Sequence, residues 1–271
     1  MKITFSRVDD EYYGIKEYIE PVVNITIKYD NFVRILSEIL NTFDRYTEHI
    51  INDVKKILNL YKQCYENDMS TCQKNDYIIF CESIYNFYWN ILDDDFAEKT
   101  RVYNENLYFK SGLRYSDNRL SRYRGLLFEE LVCATVRNRF IGSIFSSGCR
   151  IYVNGVRIIA RYGMGNSNHK ETVDIAGWNE EAYYGEFYEC KINPKRFEIP
   201  NYKYFIEIKK VLDANNVKKY ILAIVSADAK EHIKAQKEYI ESSSAECNIE
   251  FELIGREDIH SILNYRIPEI A

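Results

Sequence analysis

The chain has 271 residues, which is enough for one large or two small domains. Hydrophobic residues make up 46% and charged residues 28% of the sequence, a composition typical of a soluble globular protein, and no apolar run is long enough to predict a membrane-spanning helix. The net charge of −5 argues against nucleic-acid binding driven by bulk positive charge, although only the contacting face of such a protein has to be basic.

The acidic excess lies in the N-terminal part of the chain. Residues 1–119 carry 15 Lys and Arg against 20 Asp and Glu, whereas residues 120–271 carry 21 of each. The seven cysteines are odd in number and form no C-x-x-C pair, and the chain begins without a signal-peptide pattern. These features predict reduced thiols and a cytoplasmic protein.

Residues 1–119 are predicted to form a mainly helical domain. Residues 22–29 alternate between apolar and polar positions and are read as a strand. Helical periodicity then predicts three amphipathic helices, which begin near Asp30, Ile50 and Tyr77, the last ending near Phe96. No motif in this part names a function, so specificity, dimerisation and partner binding all stay open for it. The polar, Tyr-rich residues 101–121 are predicted to contain the domain boundary.

A helix over residues 122–140 opens the second domain, residues 120–271. Its apolar stripe is formed by Leu126, Cys133, Val136 and Phe140. Glu129 falls inside this stripe, whereas Glu130 is expected on a wetter face. Because an unpaired acid on a core-facing stripe is costly, Glu129 needs a cation. The candidates are a metal site and the basic residues Arg122, Arg124 and Arg137.

The next residues predict a hairpin and a loop. Asn154-Gly155 stands between two apolar runs, which is a strong two-residue hairpin signal. Residues 161–170 contain two glycines and show no periodicity, so a loop facing the substrate is expected there. His169 and Lys170 are either solvated or in contact with phosphate in that loop.

Two short apolar runs that each carry an acid follow this loop. Residues 172–177 contain Asp174, residues 185–192 contain Glu189 and Lys191, and the polar residues between them predict a hairpin connection. Antiparallel pairing would bring Asp174 close to Glu189. Two carboxylates in one site repel each other unless something compensates, and Mg²⁺ prefers such oxygen ligands. Lys191 would lie beside that ion.

The remainder of the chain completes an α/β sandwich. A helix over 202–212 places Lys203, Lys209 and Lys210 outward as a candidate phosphate-contacting surface. A buried strand over 220–225, a helix over 228–240, a strand over 249–254 and a short helix over 258–263 follow.

The spacing of these acids resembles the PD-(D/E)xK nuclease superfamily. Asp174 is followed 15 residues later by Glu189-Cys190-Lys191, and Gly125-Leu126-Leu127-Phe128-Glu129 is similar to the helix that precedes the catalytic sheet in several of its families. The resemblance covers roughly residues 121–264. It implies a restriction-endonuclease-like αβββαβ mixed-sheet core behind the helical N-terminal domain. Cys190 departs from the aliphatic residue that is usual between the acid and the lysine.

The resemblance also implies a mechanism and partners. Asp174, Glu189 and the backbone carbonyl of Cys190 would hold Mg²⁺, with Mn²⁺ as a substitute, and Glu129 would hold a second ion or a metal-bound water. Lys191 would position the attacking water. The expected activity is endonucleolytic hydrolysis of double-stranded DNA by a homodimer that cuts both strands. The expected role is restriction or another defence function.

Three other functions stay open at this point. Within the same fold, the enzyme could be a junction-resolving or repair nuclease, or a nuclease that cuts RNA. The fold could also serve as a catalytically inactive nucleic-acid-binding module that keeps the acids as a salt-bridge network. The acidic N-terminal half permits a protein-interaction role as well.

Overall fold

The structure is a computed structural model, and it describes residues 1–8, 15–44, 47, 49–92, 115–162, 168–243 and 249–267. The chain divides into two compact units. One unit comprises Glu11–Leu131, and the other combines Met1–Asp10 with Val132–Ala271. Most of the predicted boundary region, and the predicted end of the third helix at Phe96, lie outside the described residues. No described helix is long and apolar enough to cross a membrane.

The first unit is helical. Its helices are α1 (Lys16–Thr26), α2 (Asp30–Thr42), α3 (Ile50–Tyr65), α4 (Thr71–Leu92) and the larger part of α5 (Tyr115–Arg137). The helices predicted from Asp30 and Ile50 are therefore confirmed, and the third one begins earlier than predicted. Aromatic side chains join α2 to α4, where the rings of Phe32 and Phe80 stack with their centroids 4.7 Å apart. This packing gives the unit a core of its own.

The strand predicted over residues 22–29 is wrong, because most of this stretch belongs to α1. Ile19, Val22, Val23 and Thr26 are buried, which is the spacing of one helical face and not the alternation of a strand. The Thr26 hydroxyl donates to the Val22 carbonyl at 2.6 Å, the local bond that lets threonine sit inside a helix. Packing of this face outweighs the strand propensity of its β-branched residues.

The second unit is built on a mixed sheet. Its strands are β1 (Ile3–Arg7), β2 (Ile144–Val153), β3 (Val156–Arg157), β6 (Val173–Asn179), β7 (Tyr184–Lys191), β8 (Lys219–Ser226) and β9 (Glu252–Ile254), and a separate ribbon pairs β4 (Ala160–Arg161) with β5 (His169–Lys170). The sheet order is β1-β2-β6-β7-β8-β9, with β3 paired to β2. The pairings up to β7 are antiparallel, and β7 with β8 and β8 with β9 are parallel.

Helices α6 (Ile199–Ala214) and α7 (Lys230–Ser243) contribute to the core of this unit. Phe205 and Ile208 of α6 and Ile233 of α7 are buried in one cluster with Phe187 and Ile224 of the sheet. A 3-10 turn, Asn138–Phe140, follows α5, and another, Ile259–Asn264, lies near the end of the chain. The predicted α/β class and its order of helix, strands, helix and buried strand are confirmed, and the structure shows that the buried strand β8 runs parallel to β7.

Two local features of the sheet differ in how well the sequence predicts them. Asn154 and Gly155 both have positive φ, 51° and 81°, as a tight two-residue hairpin requires, so the predicted turn is confirmed. Strand β1 was not predicted. It pairs with β2 in a register that joins Ile3 to Val153, so its partner lies 150 positions away in the sequence.

Candidate active site

The two acid-bearing strands pair side by side, as predicted. Strands β6 and β7 are antiparallel with Ile175 opposite Tyr188, so the next position in this register sets Asp174 opposite Glu189. On its other side β7 pairs with β8, where Glu189 lies beside Ile224. The acid on β7 therefore sits in the middle of the sheet and is completely buried.

Asp174 accepts two hydrogen bonds through a single oxygen. Its Oδ2 accepts from the backbone N–H of Cys190 at 2.7 Å and from the Lys191 ammonium at 3.2 Å. The first bond fixes the carboxylate against the end of β7. The Asp174 side chain keeps 17% of its surface exposed, so this acid forms the open side of the pair.

The described contacts of Glu189 all involve one of its two carboxylate oxygens, Oε1. Oε1 contacts the ammonium groups of Lys191 at 2.7 Å and Lys170 at 3.1 Å, and it accepts a hydrogen bond from the side-chain amide of Asn201. Among the described residues, Oε2 of Glu189 has no hydrogen-bond partner although it is buried. An unsatisfied buried polar atom costs about 1–3 kcal/mol, and more when it is charged. The structure thus leaves one anionic oxygen that needs a cation or a water.

Helix α6 supplies the amide that orients Glu189. Asn201 lies in the first turn of α6, where its Oδ1 accepts the backbone N–H of Glu198 at 3.1 Å. This bond fixes which side of the amide faces the sheet, so Nδ2 points to Glu189 Oε1. Within the described part of the chain, Oε2 of Glu189 is then the oxygen that accepts no hydrogen bond.

The oxygen donors that this site offers to a cation are the carboxylates of Asp174 and Glu189. The site contains two carboxylates and two ammonium groups, from Asp174, Glu189, Lys170 and Lys191, whose charges cancel. A divalent cation would therefore make the site positively charged, which favours binding of a phosphate. In the part of the chain that the structure describes, no group of three or more His, Cys, Asp or Glu side chains is arranged for metal binding. A cation here would therefore rely on two carboxylates, backbone oxygen and water, which is the coordination that Mg²⁺ tolerates best.

Cys190 lies between the two catalytic candidates of β7. Its side chain is buried, which is compatible with cysteine in place of an aliphatic residue. Its backbone N–H donates a hydrogen bond to Asp174. The role of its carbonyl oxygen as a metal ligand stays a prediction.

Glu129 belongs to the helical unit, where it is half-buried on α5. The expectation that Glu130 would be wetter is wrong, since Glu130 is only 8% exposed. The reason is that α5 is buried on more than one side, with Leu127, Phe128 and Leu131 all in the core. Arg124, an expected partner of Glu129, donates to the carbonyl of Leu40. The metal-binding role of Glu129 stays a prediction.

Two residues of the site were not predicted to contact Glu189. The sequence analysis placed Lys170 in a loop and did not identify Asn201. The loop predicted over residues 161–170 is wrong at its ends, because Ala160 pairs with Lys170 and Arg161 with His169; residues 163–167 lie outside the described residues. Lys170 is thereby fixed against Glu189. The only sequence signal for Asn201 was its position at the start of a helix, next to Pro200.

The other acid of β7, Glu186, belongs to a structural network on buried Arg139. Arg139 Nε and Nη2 reach the two oxygens of Glu186 at 3.0 and 2.5 Å, and the hydroxyls of Tyr184 and Tyr188 donate to the same carboxylate. Burial acts to lower the pKa of Arg139, but the hydrogen bond to Glu186 and the charges of Glu186, Tyr188 and Tyr184 together outweigh it and raise that pKa. Both oxygens of Glu186 are satisfied, which distinguishes this acid from Glu189.

The lysines that the sequence proposed for phosphate contact are paired with acids of their own helix. Lys209 lies 2.9 Å from Asp213, and Lys210 lies 2.7 Å from Glu207. Lys203 is half-buried. These local pairs reduce the positive charge that α6 offers to a ligand.

Comparisons of the chain with protein-family models, with curated proteins and with solved structures find no match. The resemblance to the PD-(D/E)xK superfamily consequently stays a prediction that depends on the residues of this chain alone.

Proposed function

We propose that this protein is a Mg²⁺-dependent endonuclease that hydrolyses phosphodiester bonds of double-stranded DNA. The observation that carries the proposal is the convergence of Asp174 and Glu189 on the ammonium of Lys191, beside a buried carboxylate oxygen that has no hydrogen-bond partner among the described residues. A site with two acids, one positioned lysine and a carboxylate oxygen available to a cation is suited to metal-assisted hydrolysis.

Each residue of the cluster has a distinct task in this proposal. Asp174 and Glu189 would hold the cation, which when bound would supply a water of lowered pKa and positive charge for the developing charge on phosphate. Lys191 contacts both carboxylates and presents its ammonium to the attacking water and the scissile phosphate. Asn201 and Lys170 keep Glu189 in one orientation. Mn²⁺ substitutes for Mg²⁺ because it accepts the same oxygen ligands.

The substrate and assembly follow from this chemistry and belong to the same proposal. A single site cuts one strand, so cleavage of both strands of a duplex calls for two copies, and a homodimer is the simplest assembly. The helical unit would supply specificity or the dimer contact. A defence role such as restriction, in the cytoplasm, is the biological setting that we infer.

Cleavage assays on three substrates test the proposal. Linear duplex DNA, a four-way DNA junction and RNA are incubated with the protein and Mg²⁺ or Mn²⁺, with EDTA as the blank. We expect metal-dependent cleavage of duplex DNA, reduced about 10²-fold or more in Asp174→Asn, Glu189→Gln and Lys191→Met. Glu181→Gln is the matched control, since Glu181 is exposed in the turn between the same strands. Preference for the junction or for RNA would favour those alternatives, and no cleavage would refute the enzyme.

The same contacts favour a second candidate, a nucleic-acid-binding or protein-interaction module without catalysis. Lys170 and Lys191 already neutralise the charge of Asp174 and Glu189, as a purely structural salt-bridge network would require. Calorimetric titration with Mn²⁺ separates the two candidates. Absent binding, or binding that is unchanged in Asp174→Ala, would favour the module.

A further inference from the structure

Three basic side chains converge on one carboxylate next to the acid pair. Glu171 Oε1 lies 2.6 Å from Arg150 Nε, and Oε2 lies 2.9 Å from Arg157 Nη1 and 3.3 Å from His169 Nε2. These residues come from β2, β3 and β5, so three separate strands contribute to the cluster. We call Arg150, Arg157, His169 and Glu171 the basic cluster.

The basic cluster carries more positive than negative charge. Burial acts to raise the pKa of Glu171, but hydrogen bonding to Arg150 and the charges of Arg150 and Arg157 outweigh it and lower that pKa. Glu171 is therefore anionic and contributes one negative charge. Two guanidinium groups face it, so Arg150 and Arg157 alone give the cluster a positive surplus.

The two arginines also keep unused hydrogen-bond donors. A guanidinium has five N–H donors in a planar fork that matches phosphate. Arg150 donates its Nε–H to Glu171 Oε1, and Arg157 Nη1 forms an ion pair with Glu171 Oε2 that lacks hydrogen-bond geometry. No other side-chain contact of either arginine is found within the described residues. Their side chains are 32% and 38% exposed. Glu171 thus pairs with both guanidinium groups while the two arginine side chains stay partly exposed.

The basic cluster is fixed to the same framework as the acid pair. Lys170, which contacts Glu189, stands in the sequence between His169 and Glu171, which contact each other. Tyr204 of α6 donates to the Glu171 carbonyl at 3.0 Å, and Asn201, three residues earlier on one face of this helix, donates to Glu189. A single helix therefore sets the positions of both groups.

We propose that Arg150, Arg157 and His169 bind a backbone phosphate of the nucleic acid next to the scissile phosphate, which would lie at the proposed metal site of Asp174 and Glu189. This assignment rests on the proposed function and names the surface through which the substrate is bound. Phosphate contacts of this kind position a nucleic acid without reading its sequence. The paired lysines of α6 are the competing surface, and the spare donors of the arginines favour the basic cluster over them.

Binding without metal tests the assignment separately from catalysis. A fluorescein-labelled DNA duplex of about 30 base pairs is titrated with the full chain in EDTA, and affinity is followed by anisotropy between about 50 and 200 mM salt. Arg157→Gln and His169→Gln are compared with wild type, with Lys210→Gln on α6 and with Lys234→Gln. Lys234 is exposed on α7 and provides the matched loss of one charge. Circular dichroism verifies that each variant is folded.

We expect Arg157→Gln to weaken binding several-fold and to reduce the slope of log affinity against log salt by about 1, with no change in Lys234→Gln. His169→Gln should also weaken binding. Unchanged slopes in both cluster variants would overturn the assignment, as would a wild-type chain that does not bind the duplex. A reduced slope in Lys210→Gln alone would transfer the role to α6. None of these readouts requires cleavage, so an inactive but binding protein would overturn the proposed function and leave this inference standing.

Discussion

The orientation of Glu189 by Asn201 leads to the most specific prediction about the site. Asn201 is only 8% exposed and joins the start of α6 to the central strand. Asn201→Ala removes both of its side-chain hydrogen bonds and leaves Glu189 with the two lysines alone. We therefore expect this substitution to affect both the stability of the sheet unit and its affinity for a divalent cation.

The expected magnitudes follow from the two lost contacts. A hydrogen bond to a charged group contributes about 1.5–3 kcal/mol, and a side-chain bond to a backbone N–H at a helix start contributes about 1 kcal/mol. Together they predict a loss of about 3 kcal/mol in the free energy of unfolding. Removal of a group that orients a metal ligand typically weakens metal binding about 10- to 100-fold, and we expect a weakening of Mn²⁺ binding in that range.

The two tryptophans make the stability measurement specific to one unit. Trp178 is buried in the sheet, whereas Trp89 is 63% exposed on α4. In a Trp89→Phe background, fluorescence during urea unfolding reports the sheet unit alone. Mn²⁺ affinity is measured by calorimetry on the same proteins. Tyr204→Phe is the control, since it removes one neutral hydrogen bond from the same helix and should cost about 1 kcal/mol without changing Mn²⁺ affinity.

Two results would refute this reasoning. If Asn201→Ala unfolds at the same urea concentration as the control, the amide does not hold Glu189. If stability falls but Mn²⁺ binds as tightly as before, the orientation of Glu189 is irrelevant to the cation, and the metal ligands lie elsewhere.

Three further predictions concern the framework around the site. Arg139→Met should lower the free energy of unfolding by about 3–5 kcal/mol, because Glu186 stays buried without its charge partner; urea unfolding checks this, with a change within about 0.5 kcal/mol expected for the surface variant Lys234→Gln. The lowered pKa of Glu171 means that its stabilising contribution is complete above its ordinary value of 4.5 and is lost as pH falls through the lower folded-state value. The stability difference between wild type and Glu171→Gln should hold steady from neutral pH to about 5 and shrink below it, and a difference that grows on acidification would contradict this sign. Gly177→Ala should cost about 1–3 kcal/mol, because its Cβ would meet the Phe140 ring at 2.5 Å; a melting temperature equal to wild type would contradict that packing.

The sequence predicts the acid pair because the necessary signals are local. The hairpin between β6 and β7 requires only two apolar runs and a polar connection, and this pairing brings Asp174 to Glu189. The same holds for the turn at Asn154 and Gly155, where residue type specifies backbone conformation. Helices α2 and α3 follow from their periodicity alone.

The remainder depends on long-range packing that no local pattern records. β1 reads as a short alternating segment whose partner is set by the completed sheet. Residues 22–29 have the β-branched composition of a strand, yet they pack as a helix. Asn201 and Lys170 become site residues only when α6 and β5 approach Glu189. Their residue types carry no signal for that role, so only coordinates reveal them.

A crystal of the protein soaked in Mn²⁺ tests the central claim most directly. We predict an anomalous peak within coordination distance of carboxylate oxygens of both Asp174 and Glu189, including Oε2 of Glu189, with the Lys191 ammonium beside it. A soaked crystal with no peak there, in which Lys191 still bridges the two carboxylates, would contradict the metal site and leave a salt-bridge network in its place.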